Sequence, residues 1–235
     1  MSLFVLLFLV LYCERKHGEG KPLADYSEHR LPEPPSWAKQ GVLYELYLRA
    51  FTEEGTFRAA IEKLDHLKKL GVDIIWLMPI YPIGEEGRKG RLGSPYAVKN
   101  FRSINPELGN EEDFRLLIDE IHKRQMKVLL DIVPNHAAND HPLIDAHPEW
   151  FMQDEDGNFI RVEEDWTDVI DFTYQNPQMR RYMKENLFYW VREFDIDGYR
   201  CDVAGMVPHD FWADVIPALR EIKPDLFLLA EWEDP

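Results

Sequence analysis

Cysteine is scarce. Cys13 and Cys201 are the only two in 235 residues. One lies in the N-terminal segment and the other beside Asp202, so a structural disulfide is not expected, and no metal-ligand cysteine spacing exists. Basic residues are also few. Lys+Arg 27 against Asp+Glu 43 leaves a net charge of −16, which argues against nucleic acid and anionic membrane surfaces as partners. The plain reading of that acidity is solubility. No Gly-x-Gly-x-x-Gly follows the first expected strand, so a dinucleotide fold has little support. The apolar run SLFVLLFLVLY at 2–12 is too short to span a bilayer as a folded helix.

What is present is a core. Hydrophobic residues make up 45% of the chain and aromatics 13%, and the length fits one large domain or one and a half ordinary ones. The aromatics serve either the core or as platforms for a flat apolar ligand face, such as a sugar ring. The apolar run matches the hydrophobic region of a secretory signal, so residues 1–13 are expected to direct export, to the periplasm, the cell surface or the medium. Cys13 follows directly, which is where bacterial lipoproteins are cleaved and lipidated, and it is a candidate lipid-anchor site. Tyr12 is bulky for such a site and no Lys or Arg precedes the run, so an ordinary cleaved signal or a misplaced start codon stays open. Residues 14–40 are polar, contain Pro22, Pro32, Pro34 and Pro35, and read as a linker.

From Gly41 the pattern alternates between strand and helix. VLYELYL (42–48), VDIIWLM (72–78), KVLLDIV (127–133), residues 196–203 and LFLLA (226–230) read as five strands. Thr56 is a candidate N-cap for one helix carrying Phe57, Ala60, Ile61, Leu64, Leu67 and Leu70, closed by Gly71. Asn110 with Asp113 resembles a capping box. Asn176-Pro177 opens a third helix with a buried stripe of Met179, Met183, Leu187, Trp190 and Phe194. A fourth helix near 209–221 is expected to be kinked or split by Pro217. Apolar strands alternating with amphipathic helices imply a parallel sheet covered by helices, as an open doubly wound sheet or a (β/α) barrel. Residues 137–175, with two His-Pro pairs and an Asp156-Gly157-Asn158 turn, are too long for a plain loop and read as an inserted subdomain. In Asp154-x-Asp156-Gly157-Asn158 the turn is preferred over a set of oxygen ligands.

The unusual residues sit where strands end, which favours the barrel, because barrel enzymes keep their sites at the C-terminal rim. Arg200 and Asp202 share a face by the two-residue period of a strand. Asp202 and Glu231 fall at the same rim on neighbouring strands, where carboxyls can stand about 5–5.5 Å apart, the separation used by retaining glycosidases. Asp202 would attack the sugar carbon, kept ionised by Arg200. Glu231 would protonate the leaving oxygen, kept protonated by apolar neighbours such as Trp232. An Arg–Asp–Glu ion network at a strand end would leave the same spacing.

DIVPNH (131–136), GYRCDVAGM (198–206) and LAEWE (229–233) resemble, in order, three signature regions of the α-amylase family of glycoside hydrolases, family 13, and GSPYAVKNFRSINPELG (93–109) resembles its strand-two loop, so that the resemblance covers about residues 41–235. The resemblance implies a partial (β/α)8 barrel of about five βα units, with the inserted subdomain as domain B after strand three. It implies Asp202 as nucleophile, Glu231 as general acid/base, Arg200 as the partner of the nucleophile, His136 as a hydrogen-bonding residue and Tyr96 as a stacking residue for the sugar. Asp131 is expected to support strand three. Asn135 matches a calcium ligand of many members, so calcium is a candidate ion, while no cofactor is required. Gly205 and Met206 stand where many α-amylases carry Lys-His. That weakens the calcium assignment and favours short maltodextrins as substrate. The implied activity is retaining hydrolysis of α-glucosidic bonds in maltodextrin or starch-type glucans. The alternatives are a family transglycosylase or isomerase, or a non-catalytic glucan-binding protein. The family's fourth signature region, with a further His and the aspartate that stabilises the transition state, is not found by residue 235. A chain ending there is expected to be nearly inactive alone, and the reading frame beyond codon 235 is the discriminating observation.

Overall fold

The computed structural model describes residues 33–232. The expected signal segment, Cys13 and most of the expected linker lie outside them. Ser36–Lys39, at the end of that linker, forms a short helix, α1. β1 is Leu43–Leu46, followed by a helical turn α2 at Leu48–Phe51, so the first strand is shorter than its apolar run. The next helix is broken into α3 (Phe57–Ile61) and α4 (Leu64–Lys69). Thr56 does cap it, accepting from the Ala59 N–H. The break lies at Glu62–Lys63, where Lys63 N–H closes on the Ala60 carbonyl as a tight turn. Apolar spacing alone cannot show such a break, because Leu64 and Leu67 stay buried either way.

β2 is Ile74–Leu77, α5 Glu111–Lys123 and β3 Lys127–Ile132. The capping box at Asn110 and Asp113 is present in both directions. Then come β4 (His136–Ala138), α6 (Leu143–Ala146) and β5 (Val169–Asp171). β4 and β5 pair antiparallel and form the root of the insertion. The expected turn is there too. Gln153 and Phe159 bridge across it, and the Asp154 Oδ1 accepts the N–H groups of Asp156 and Asn158. α7 is Pro177–Phe194, with the Asn176 side chain accepting from the N–H groups of Gln178 and Met179. Its five predicted core residues are all buried. β6 is Gly198–Cys201, α8 His209–Ile222 and β7 Phe227–Ala230. α8 runs through Pro217 as one element, so the expected split does not occur. Phe211, Val215 and Leu219 hold it on the core from both sides of the proline.

The main sheet has the order β1-β2-β3-β6-β7, with all neighbours parallel. That order follows the chain without reversal. A doubly wound sheet needs a point where the order turns back, so this is part of a barrel. β3 and β6 are buried along nearly their whole length, whereas β1 and β7 are half-exposed at the edges. Gly198 sets how close β6 lies to β7, since a Cβ there would stand 1.8 Å from the Phe227 carbonyl oxygen.

The foot of the sheet is closed by charge. Asp197 precedes β6 and is 1% exposed. Its Oδ1 lies 2.9 Å from Lys127 Nζ and 3.1 Å from Lys223 Nζ, and its Oδ2 lies 2.7 Å from His122 Nε2 and accepts the Val128 N–H at 3.0 Å. Burial alone would raise this carboxyl's pKa. The His122 hydrogen bond and the two lysines outweigh that and hold it well below the usual carboxylate range.

Candidate active site

At the opposite end of β6, Arg200 stands among three carboxylates. Its Nη1 lies 3.0 Å from both Asp131 oxygens and 3.0 Å from Asp202 Oδ1, and its Nη2 lies 2.5 Å from Glu231 Oε1. Each group is delivered by a strand. Asp131 and Arg200 are register partners across β3 and β6. Arg200 pairs with Leu229 across β6 and β7, which brings Asp202 level with Glu231 one step beyond each strand. The backbone locks that last step: Glu231 N–H donates to the Cys201 carbonyl and Ala204 N–H to the Glu231 carbonyl, both at 3.0 Å. The Glu231 Oε2 accepts the Val203 N–H at 3.0 Å. Val203 itself has φ 39, in the left-handed region that β-branched residues avoid.

The charges do not balance, and the carboxyls respond. Burial pushes Asp131 up to about 8, against the pull of Arg200 and with a further push from Asp202. Burial also pushes Asp202 up to about 7; Arg200 opposes this, and the charge of Glu231 and its hydrogen bond to Asp202 add to it. The expectation that Arg200 keeps Asp202 firmly ionised is therefore corrected. One guanidinium shared by three buried or half-buried carboxylates cannot offset the desolvation of each. Two further expectations change. Glu231 is not lodged beside apolar groups: its side chain is 42% exposed and held by Arg200 and the Val203 N–H. Trp232 packs over Gly205 instead, so tightly that a Cβ at 205 would meet its ring at 2.1 Å. A lysine at 205 would have to displace that ring.

Tyr96 and His136 complete the rim. The Tyr96 hydroxyl donates to Asp131 Oδ2 at 3.2 Å, and Arg200 Nη1 approaches that hydroxyl at 3.5 Å. Burial and the nearby Asp131 raise the Tyr96 pKa, so it stays a neutral phenol. His136 Nε2 lies 3.9 Å from Asp202 Oδ2. Burial lowers its pKa to about 4, so the imidazole is neutral and that approach is no ion pair. Sequence reasoning gave Asp131 a supporting role. The structure makes it the hub, fully buried and bonded also to Trp76 Nε1 at 3.0 Å, while Arg200 lies 4.8 Å from the Trp76 ring centroid. Trp76 was missed, although it stands in the second strand, two pairing steps below the rim on the same side as Asp131. A cleft of about 260 Å³ opens beside these groups, lined by Tyr96, His136, Asp202, Val203 and Glu231 together with Lys89, Ser94, Trp166, Asp168 and Val169.

Asn135 does not reach the cleft lining. Its amide donates to Asp171 Oδ1, and the other oxygen of Asp171 accepts the Val162 N–H at 2.7 Å. Calcium takes six to eight oxygen ligands. Here the one carboxylate beside Asn135 already has both oxygens occupied by N–H groups, and no cluster of three or more acidic, His or Cys side chains suited to a metal exists among the described residues. The donor set does not fit the ion.

The catalytic-domain model of α-amylase matches residues 36–166 and 146–231. A solved α-amylase from Lactobacillus plantarum is 46% identical with a TM-score of 0.79, over 81% of this chain and 45% of that one. A solved maltogenic α-amylase from Thermotoga neapolitana is 45% identical with a TM-score of 0.76, over 82% of this chain and 46% of that one. An α-1,4-glucan:maltose-1-phosphate maltosyltransferase of Salinibacter ruber is 29% identical over 245 residues, 92% of this chain and 37% of that protein. The chain spans about a third to a half of the length of the curated relatives it matches.

Proposed function

Because the chain belongs to the α-amylase family of glycoside hydrolases, we propose that its rim carries out retaining cleavage of α-glucosidic bonds in maltodextrins or starch-type glucans. The observation that carries this is Asp202 and Glu231 at adjacent strand ends, joined through Arg200. Ionised Asp202 attacks the anomeric carbon. The bond to the glycosidic oxygen breaks as Glu231 gives that oxygen its proton, which leaves a glucosyl ester on Asp202. Glu231, now a carboxylate, takes a proton from water, and the water oxygen displaces Asp202 with a second inversion. Half-exposed Glu231 can swing from Arg200 to the scissile oxygen. Neutral His136 and Tyr96 line the position of the reacting sugar, with Tyr96 held by Asp131.

Replacing water by a sugar hydroxyl in the last step gives a transglycosylase, the reaction type that the name of the Salinibacter relative carries. Incubating the product of the complete reading frame with maltotriose and following the anomers by NMR tests the scheme. Glucose and maltose are expected, with the newly formed reducing end appearing as the α anomer before mutarotation. Longer oligosaccharides would indicate transfer, and a newly formed reducing end that appears first as the β anomer would overturn the retaining mechanism. Binding of maltotriose without turnover would indicate a non-catalytic glucan-binding protein. We also propose that activity is unchanged by EDTA, since Asn135 and Asp171 satisfy each other; loss of activity restored by calcium would overturn this. Export is a proposal resting on residues 1–13 alone, and fractionation of cells with and without Cys13→Ala tests the anchor.

A further inference from the structure

Position 205 is a glycine for want of space. It lies in the 3-10 turn Ala204–Met206, and its φ is outside the left-handed region that favours glycine. A Cβ there would stand 2.1, 2.2 and 2.5 Å from Cδ2, Cε2 and Cε3 of Trp232, so the indole lies against bare backbone. Trp232 directly follows Glu231, and the same turn holds Glu231 at two further points. The Val203 N–H donates to Glu231 Oε2 and the Ala204 N–H to the Glu231 carbonyl, both at 3.0 Å. The turn is itself anchored. Trp212 Nε1 of α8 donates to the Ala204 carbonyl at 3.0 Å, and the Met206 N–H closes on the Val203 carbonyl at 2.9 Å. Val203 keeps φ 39 and ψ 47, a strain that persists only where the surroundings fix it.

Glu231 needs such a holder. Among the described residues β7 pairs on one side only, with β6, and Glu231 stands one step beyond its end. Its side chain is 42% exposed and must part from Arg200 to reach the scissile oxygen. A carboxyl that moves delivers its proton to one place only if its backbone stays still, and a displacement of about 1 Å can cost on the order of 10²-fold in rate. Asp202 is anchored separately, through its N–H on the Ile132 carbonyl at 2.9 Å and its Oδ1 on Arg200. We propose that Gly205 is a positioning residue for the acid/base. By leaving room for the Trp232 ring, it lets the turn after Asp202 grip the chain at Glu231 and beyond it, and so sets where the carboxyl delivers its proton. The inference rests on the glycosidase reading of the rim.

The leaving group separates acid assistance from nucleophilic attack. Cleavage of maltotriose expels a sugar oxygen that needs the proton of Glu231, whereas α-maltosyl fluoride loses fluoride as the anion and needs none. In Gly205→Ala, made in the product of the complete reading frame, kcat/KM should fall by on the order of 10²-fold on maltotriose and by no more than about threefold on α-maltosyl fluoride. Trp232→Ala should show the same split. Trp232 is 46% exposed, so its variant keeps the test alive if Gly205→Ala fails to fold. In the Trp232→Ala background, Gly205→Ala should cost less than about twofold more, since the ring it would displace is gone. An equal loss on both substrates, no loss, or additive losses in the double variant overturn the proposal. If the wild type cleaves neither substrate, the glycosidase reading fails separately. Hydrogen exchange then decides: Val203 and Ala204 amides that exchange about tenfold faster in Gly205→Ala support the grip, and unchanged exchange overturns it.

Discussion

The two ends of β6 make opposite use of the same residue. At its foot, Asp197 is one buried carboxylate among Lys127, Lys223 and His122. At its rim, Arg200 is one cation among Asp131, Asp202 and Glu231. Burial is severe at both ends, yet the Asp197 carboxyl is held below its usual range and the Asp202 carboxyl is raised. The surplus of positive partners makes the foot a brace. The deficit at the rim leaves carboxyls that exchange protons near neutrality, which is what acid/base and nucleophilic work requires. Four residues of strand separate the two conditions.

The sharpest way to break the comparison is Asp202→Asn. It should abolish glucan cleavage by on the order of 10⁴–10⁶-fold and yet raise the melting temperature, because it removes one of the competing carboxylates. A fall in melting temperature would show that the rim is a brace like the foot. Arg200→Lys keeps the charge but loses the fork that reaches all three carboxylates. It should lower kcat by on the order of 10²–10³-fold, measured on maltotriose. Asp197→Asn should do the reverse of both. Stability to urea should fall by about 2–4 kcal/mol, discounted from the value for a fully buried pair because Lys127 is one-third exposed. Activity per folded molecule should stay within about twofold. The smallest effects are in pH. The Asp202 carboxyl is raised in the folded state, so its contribution to stability is full below about pH 4 and lost as pH rises towards about 7. The Asp197 carboxyl is lowered, so its contribution is present above about pH 4 and lost on further acidification. Melting curves across pH should flatten on the neutral side in Asp202→Asn and on the acid side in Asp197→Asn. In the wild type, kcat/KM should fall as pH drops through about 7.

Much of the rim was legible because it is local. The two-residue strand period puts Arg200 and Asp202 on one face, and they do meet at 3.0 Å. Strand endings placed Asp202 beside Glu231, and caps at Thr56, Asn110 and Asn176 marked three helix starts. What was not legible depends on elements far apart in sequence. Lys127 and Lys223 converge on Asp197 from opposite sides of β6, and no spacing rule links them. Asp131 becomes a hub only because β3 and β6 pair in the register that sets it against Arg200. The Lys89–Asp168 pair joins a loop after β2 to the insertion, across 79 positions. The environment of Glu231 was misjudged for a related reason: a neighbour in sequence, Trp232, turns away to the surface of Gly205.

Gly198 carries a consequence for how such a protein drifts over generations. With any Cβ there 1.8 Å from the Phe227 carbonyl oxygen, β6 and β7 could no longer lie side by side. Asp202 and Glu231, four and more positions away, would lose their common level without either being touched. A saturation library should therefore find this buried position as intolerant as the reacting residues, while exposed positions of the insertion such as Ile160 and Val162 accept most replacements. The level at which the two carboxyls stand is inherited from a single missing carbon.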